Sequence, residues 1–354
     1  MRKKVFVAIS GGVDSAISAK LLQEEGYDVT GVFMKNWSDE NHGIKHECPW
    51  QKDLEDTIKI CETLGITHKT YNFEIEYRKY ILENFFEEYK KGNTPNPDVL
   101  CNKYIKFDSF LKKALGQGAD YIATGHYSKT KNGRLFKAKD KNKDQTYFLH
   151  RLTKQQLEKS IFPLGDLTKE EVRKLAKKYQ LPVAEKKDSQ GLCFIGKIDV
   201  QEFIKNTLKE KEGEIIDLDQ NKVVGKHNGI WFYTIGQRHG IRVGGTKDPY
   251  FVAKKDTEKN VLYVVQGRNH PELYKKTLEV AVLHLINSKY EFKKTDFTAT
   301  IRYRSQDTPV KLEFENNKAI FEFEKPQWAP ALGQSLVFFD KNECLGGGFI
   351  TAIR

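Results

Sequence analysis

The chain has 354 residues, with 59 lysines and arginines against 48 aspartates and glutamates, a formal net charge of +11. That length exceeds what one hydrophobic core usually serves, so two or three domains are expected. No apolar run approaches the ~20 residues of a membrane-spanning helix, and five cysteines without a CxxC pair argue against a disulfide framework or a four-cysteine metal site. A sparse, odd set of thiols fits the reducing cytoplasm. The basic balance favours an anionic partner, nucleic acid rather than membrane, although surface solubility alone explains as much of the charge.

In chain order, Val5 to Ile9 is an apolar run with strand preference, closed by Ser10-Gly11-Gly12. A helix follows with Ile17, Leu21 and Leu22 on its buried face, then a strand from Val29 to Met34. His42, His46 and Cys48 are close enough in sequence to raise a metal, but they lack an obvious fourth ligand and read better as a polar loop. Leu54, Ile58, Cys61 and Leu64 recur at helical spacing, which makes Cys61 a core thiol. A strand from His68 to Phe73, helices over 77–91 and 106–115, and a short strand ending at Gly125 complete an alternating pattern. Alternation of this kind predicts a mostly parallel sheet with ligands at the carboxyl ends of its strands.

Residues 129–143 read as polar turn, including Asn132-Gly133, before helices near Lys154 and over 169–179. Beyond Gly213 the period shortens toward two, as in Lys311-Leu312-Glu313-Phe314-Glu315 and Ala319-Ile320-Phe321-Glu322-Phe323. The fold class is therefore α/β: an N-terminal nucleotide-binding domain over 1–210, a small central domain over 211–277 and a β-rich, barrel-like domain over 278–354.

Three short segments carry chemistry. Ser10-Gly11-Gly12-Val13-Asp14-Ser15 joins a strand to a helix, where backbone amides and the helix dipole favour phosphate. It has neither the spacing of GxxxxGK[ST] nor that of GxGxxG. Asp14 adds negative charge there, which makes sense if Mg²⁺ bridges it to phosphate. The rival reading is a helix capped by Ser10, with Asp14 complementing the dipole. Asn96-Pro97-Asp98-Val99-Leu100-Cys101-Asn102 sets Cys101 near a helix start with a carboxylate three residues earlier. Cys193 sits between Gly191 and Gly196 among apolar neighbours. For both cysteines a packed thiol is an open alternative, and sequence spacing does not show that they meet.

Together with Gly125-His126-Tyr127, Asp144 to Leu149, Asp188 to Gly196, Gly236 to Gly240 and Ala331-x-Gly333-Gln334, these motifs resemble the bacterial tRNA-specific 2-thiouridylases of the ATP pyrophosphatase superfamily. The resemblance spans all three expected domains. It implies ATP-dependent thiolation of a wobble uridine in tRNA, with Asp98 as general acid/base, Cys101 as nucleophile and Cys193 as bearer of a persulfide. It further implies that Ser10 to Ser15 grip ATP and that Met34, Gly125 and His126 lie against the adenosine. A sulfur carrier or cysteine desulfurase is the implied sulfur donor. Gln145 matches a substrate-side position. Lys103, Lys106, Arg238, His239, Arg302 and Arg304 are candidate tRNA contacts, each of which ordinary surface charge explains equally well.

Overall fold

The computed structural model describes residues 2–38, 50–187, 200–244, 248–293 and 295–354, apart from the side chains of 200–202 and 206. Three sheets organise the described residues. In the first, strands β1 (Lys4–Ala8), β2 (Asp28–Lys35), β3 (Thr67–Asn72) and β4 (Tyr121–Thr124) pair in parallel. The hairpin β5 (Lys129–Lys131) and β6 (Arg134–Phe136) follows, and β7 (Ser160–Ile161) completes the first sheet in the order β3-β2-β1-β4-β7. Val5 and Val7 point to one face and Phe6 and Ala8 to the other, and all four are buried. A strand covered on both faces must read as continuously apolar, which is why Val5 to Ile9 shows no alternation.

Helices α1 (Val13–Glu24) and α2 (Trp50–Leu64) cover this sheet. Cys61 on α2 packs against Gly31 of β2 so closely that a Cβ there would lie 2.5 Å from its Sγ. The helix expected over 77–91 begins earlier, at Glu74, and contains a π-helical turn, Arg78–Leu82. The helix expected over 106–115 also begins earlier. It runs through Pro97–Cys101, a π-helical stretch Asn102–Ser109, and Phe110–Gly116. Proline at the first helical position gives up an N–H that has no intrahelical partner there, so the Pro-rich run is a start signal.

The central sheet combines β8 (Gly213–Asp217), β9 (Lys222–His227), β10 (Tyr250–Asp256) and β11 (Val261–Gln266) in the order β10-β11-β8-β9. The third sheet holds β12 (Tyr274–Val280), β13 (His284–Leu285), β14 (Asp296–Thr300), β15 (Thr308–Glu315), β16 (Lys318–Trp328), β17 (Ser335–Asp340), β18 (Glu343–Phe349) and β19 (Ala352–Ile353) around a core that includes Phe297, Phe321 and Phe338. Among the described residues no helix is long and apolar enough to cross a membrane.

The segment 129–143 differs from the turn expected of it. Asn132 and Gly133 adopt φ of 53° and 71°, the two positive values a tight hairpin turn requires, and β6 pairs with β18 to join the C-terminal sheet. One apolar cluster is continuous across this seam, from Phe6 and Tyr147 to Val337 and Phe339. His150 is fully buried there. Its Nδ1 donates to the Tyr147 carbonyl at 2.8 Å, and burial, reinforced by Arg151, His284 and Lys103, pushes its pKa down to about 3.

A histidine that folds neutral contributes stability above its unfolded pKa of ~6.5, and that stability is lost as pH falls toward the folded value. Urea unfolding at pH 7 and pH 5 should show a drop of which about 2 kcal/mol belongs to His150. In His150→Asn that portion of the drop should vanish; an unchanged pH dependence contradicts the neutral assignment.

Candidate functional site

The turn after β1 is set by its own backbone. Gly11 has φ of +67°, and a Cβ on it would lie 2.6 Å from the Asp53 carbonyl oxygen of α2. The Ser10 amide donates to Ser15 Oγ at 3.2 Å, and Ser15 Oγ donates to the Gly12 carbonyl at 3.0 Å. Gly12, not Ser10, is the N-cap of α1, and no side chain caps the helix. Amides at an uncapped helix start are suited to an anion. Gly125, just past β4, is forced by proximity: a Cβ would meet Ser15 N at 2.8 Å and the Asp14 carbonyl carbon at 2.9 Å. Glycine here lets β4 close against the turn.

Asp14 is held by two groups that the sequence did not point to. Lys169 Nζ donates to both of its carboxylate oxygens, at 2.7 and 2.8 Å, and the Tyr127 hydroxyl donates to Oδ1 at 2.9 Å. On the other side of the turn, Lys186 pairs with Asp53 and Asp56 of α2 at 2.8 and 2.6 Å. Lys169 lies 155 residues from Asp14, so no local pattern reveals the contact. Among the described residues no cluster of three His, Cys, Asp or Glu side chains could hold a metal. A magnesium ion at this turn would therefore rest on Asp14 and on the phosphates it accompanies, as hard oxygen ligands allow.

Met34 is buried at the end of β2, and its carbonyl accepts from Asn36 Nδ2 at 3.4 Å. His126 follows Gly125 and is buried, with Nδ1 2.7 Å from Thr124 Oγ1 and Nε2 3.5 Å from Lys106 Nζ. An ammonium can only donate, so Nε2 accepts and the ring proton sits on Nδ1, shared with Thr124. Burial and then the Lys106 charge hold the imidazole well below its ordinary pKa. His126 is thus a neutral group beside a cation at the carboxyl edge of the sheet.

Cys101 is buried at the end of Pro97–Cys101, and Asp98 is half-buried one turn earlier. Because the helix begins at Pro97, Cys101 stands in its second turn rather than at its start, where the dipole acts more weakly on a thiol. The loop before it is held by the C-terminal and central domains. The Thr94 amide donates to the Leu332 carbonyl at 2.8 Å, and Gln334 Nε2 donates to the carbonyls of Thr94 and Pro95 at 2.9 and 3.1 Å. Thr94 Oγ1 reaches Thr234 Oγ1 of the central domain at 3.3 Å. Asn102 Nδ2 donates to the Phe148 carbonyl. A cavity of about 280 Å³ lies beside this loop, between Asn96, Glu88 and Thr351.

The remaining expected residues separate into inward and outward groups. Gln145 Oε1 accepts from the Tyr127 amide at 3.0 Å, so its side chain fixes the segment after His126. Lys103 lies over the Tyr104 ring at 4.6 Å, and Arg238 and His239 are exposed. Arg302 turns inward: its guanidinium stacks over Trp328 and donates to the carbonyls of Ile235 and Ala329, tying the C-terminal domain to the central one. Arg304 Nε donates to the Asn142 carbonyl at 3.2 Å. Tyr233 is buried in the central core. Cys193, His42, His46 and Cys48 lie outside the described residues.

Burial pushes the Cys61 thiol up to about 11 and Cys344 well above its ordinary range. Thiols alkylate as thiolates, so iodoacetamide at pH 8 should leave both unmodified in the folded chain; rapid labelling of either contradicts their core placement. Gly125→Ala should destabilise the chain by about 1–3 kcal/mol, since backbone atoms must move to admit the methyl group. Denaturant unfolding indistinguishable from the parent would contradict the close approach.

Residues 3–197 match the tRNA methyl transferase HUP domain, residues 201–266 the tRNA methyl transferase PRC-barrel domain, and residues 275–350 the aminomethyltransferase beta-barrel domain. The chain is 46% identical to the tRNA-specific 2-thiouridylase MnmA of Methylobacillus flagellatus, over 99% of each chain. It is 47% identical to the protein of that name from Halalkalibacterium halodurans, over 98% of this chain and 94% of that one. Identity to tRNA-specific 2-thiouridylase MnmA 1 of Geobacillus kaustophilus is 48%, over 99% and 96%. With three domain matches in order and end-to-end similarity at this level, the chain belongs to the tRNA-specific 2-thiouridylase family.

Proposed function

We propose that this chain is a tRNA-uridine 2-sulfurtransferase that spends ATP to replace the C2 oxygen of a wobble uridine with sulfur, releasing AMP and pyrophosphate. The observation that carries the reading is end-to-end kinship with proteins named tRNA-specific 2-thiouridylase. Two of the matched domains carry a methyl-transferase name, but methyl transfer needs no turn that grips pyrophosphate, whereas adenylation does.

A carbonyl oxygen on uracil is a poor leaving group, and transfer of AMP to it makes a good one. The turn from Ser10 to Ser15 offers its amides and hydroxyls to the departing pyrophosphate, and Asp14 would hold a Mg²⁺ ion that would offset phosphate charge. Met34, Gly125 and His126 border the nucleoside half. A neutral His126 donates to no phosphate through Nε2, so Lys106 supplies the positive charge at that edge. Asp98 accepts or returns the proton at the base or at the thiol.

Cys193 carries the incoming sulfur as a persulfide, recharged by a sulfur carrier or cysteine desulfurase. Its terminal sulfur becomes the new C2 substituent, and Cys101 breaks the sulfur–sulfur bond, leaving a Cys101–Cys193 disulfide that a reductant resets. An anticodon-loop uridine can be splayed out without melting a duplex, and the exposed Arg238 and His239 with Lys103 supply sequence-independent phosphate contacts.

Nucleoside mass spectrometry after incubation with tRNA, ATP and a persulfide donor tests this reading. Cys193→Ser and Cys101→Ser should each lower 2-thiouridine by on the order of a thousandfold or more, while Cys61→Ala retains it. Normal product from either of the first two variants would remove the sulfur relay.

A further inference from the structure

We propose that Arg151, with Lys103 beside it, holds a backbone phosphate of the tRNA next to the thiol segment. This rests on the tRNA reading above and adds a contact to it.

Arg151 follows the short helix Thr146–Leu149, whose Phe148 carbonyl accepts from Asn102, the neighbour of Cys101. Its guanidinium lies over the Phe349 ring at 5.3 Å, and Phe349 lines the cavity that Asn96 also borders. Nε is buried without a hydrogen-bond partner, whereas the two terminal nitrogens are not enclosed. Lys103 is half-buried over the Tyr104 ring. Among the described residues no carboxylate pairs with either cation.

A guanidinium drawn into a fold is normally matched by carboxylates or carbonyls. Arg302 is the ordinary case, with the carbonyls of Ile235 and Ala329 on its nitrogens. Arg151 has aromatic faces instead, and desolvation draws its pKa down, opposed by the Tyr104 phenol. Burial and then the charges of Arg151 and Lys103 lower the pKa of both His150 and His284, so the positive field reaches two further side chains. The counter-charge this cluster lacks is one a ligand can bring.

A planar fork with its inner edge buried and its outer edge open suits phosphate oxygens. The surroundings favour RNA over a free ion. Tyr80 and Tyr104 stack with ring centroids 4.8 Å apart and 16° between planes, and Tyr80 is 37% exposed. Lys79 lies over the Tyr80 ring at 5.4 Å. Aromatic rings interleaved with cations form a platform for unpaired nucleotides, whose phosphates then fall to the neighbouring charges.

The test is binding of transcribed tRNA with a wobble uridine to the full chain, without ATP, across a salt series. The parent, Arg151→Met and Arg151→Lys are compared. Arg151→Met should weaken binding about tenfold and lower the slope of log affinity against log salt by about 0.7–0.9. Arg151→Lys keeps the charge and should keep the slope. Because methionine replaces a desolvated charge that has no partner, the urea midpoint of Arg151→Met should rise while its tRNA affinity falls. A midpoint that falls together with affinity marks a packing role and overturns the proposal. Parent-like affinity and slope in Arg151→Met overturn it as well, with the tRNA reading intact. Calorimetry with inorganic phosphate separates the two sources of the ligand: saturable binding below about 1 mM that Arg151→Met loses would make it a free ion and overturn the RNA assignment. A parent chain with no affinity for tRNA overturns both this proposal and the reading beneath it.

Discussion

Strand β1 hydrogen-bonds β2 on one side and β4 on the other, all in parallel, and the order of the chain reverses at this point. The connections on either side of β1 leave in opposite directions, which opens a crevice at the carboxyl ends. Two consequences follow from that single pairing. The glycine turn after β1 and the Gly125-His126 pair after β4 become neighbours, and Gly125 must lack a side chain for them to approach. Every further group in the candidate site is brought to this crevice: α1 by the turn, α2 through Asp53, and Lys169 from a helix beyond β7.

The thiol segment is held differently. It is not anchored by the sheet but by the carboxy-terminal and central domains, through Leu332, Gln334 and Thr234 on the residues just before Pro97. The hairpin β5–β6, which extends the C-terminal sheet, fixes the C-terminal domain against the first. So does the shared apolar cluster beneath it. Position of the Cys101 segment therefore depends on domain packing, whereas position of the glycine turn follows from strand pairing and the close approach of α2. A family in which all three domains travel together is what this division of labour requires.

The legibility of the sequence follows the range of each contact. Local signals read correctly: Val5 to Ile9 as a strand, the glycine turn, Cys61 as a core thiol, and Asn132-Gly133 as a turn. What Asn132-Gly133 joins was not legible, because the partner strand begins at Glu343 and edge pairing leaves no periodic trace. The helix bearing Cys101 was placed too late because Asn-Pro-rich loop residues outweighed proline's fitness for a first helical position. Lys169 and Tyr127 were missed as partners of Asp14, since a long-range ion pair looks in sequence like any surface lysine. Arg302 looked like a phosphate contact and instead joins two domains, a role written in the positions of Ile235 and Ala329 rather than in its own neighbours.

The proposed activation of a base oxygen by AMP transfer makes one atom diagnostic. Transfer RNA carrying ¹⁸O at C2 of the wobble uridine, incubated with the enzyme, ATP and a persulfide donor, should yield AMP bearing the label in step with 2-thiouridine. Label in water or in inorganic phosphate, with unlabelled AMP, would contradict adenylation and with it the role assigned to the Ser10–Ser15 turn.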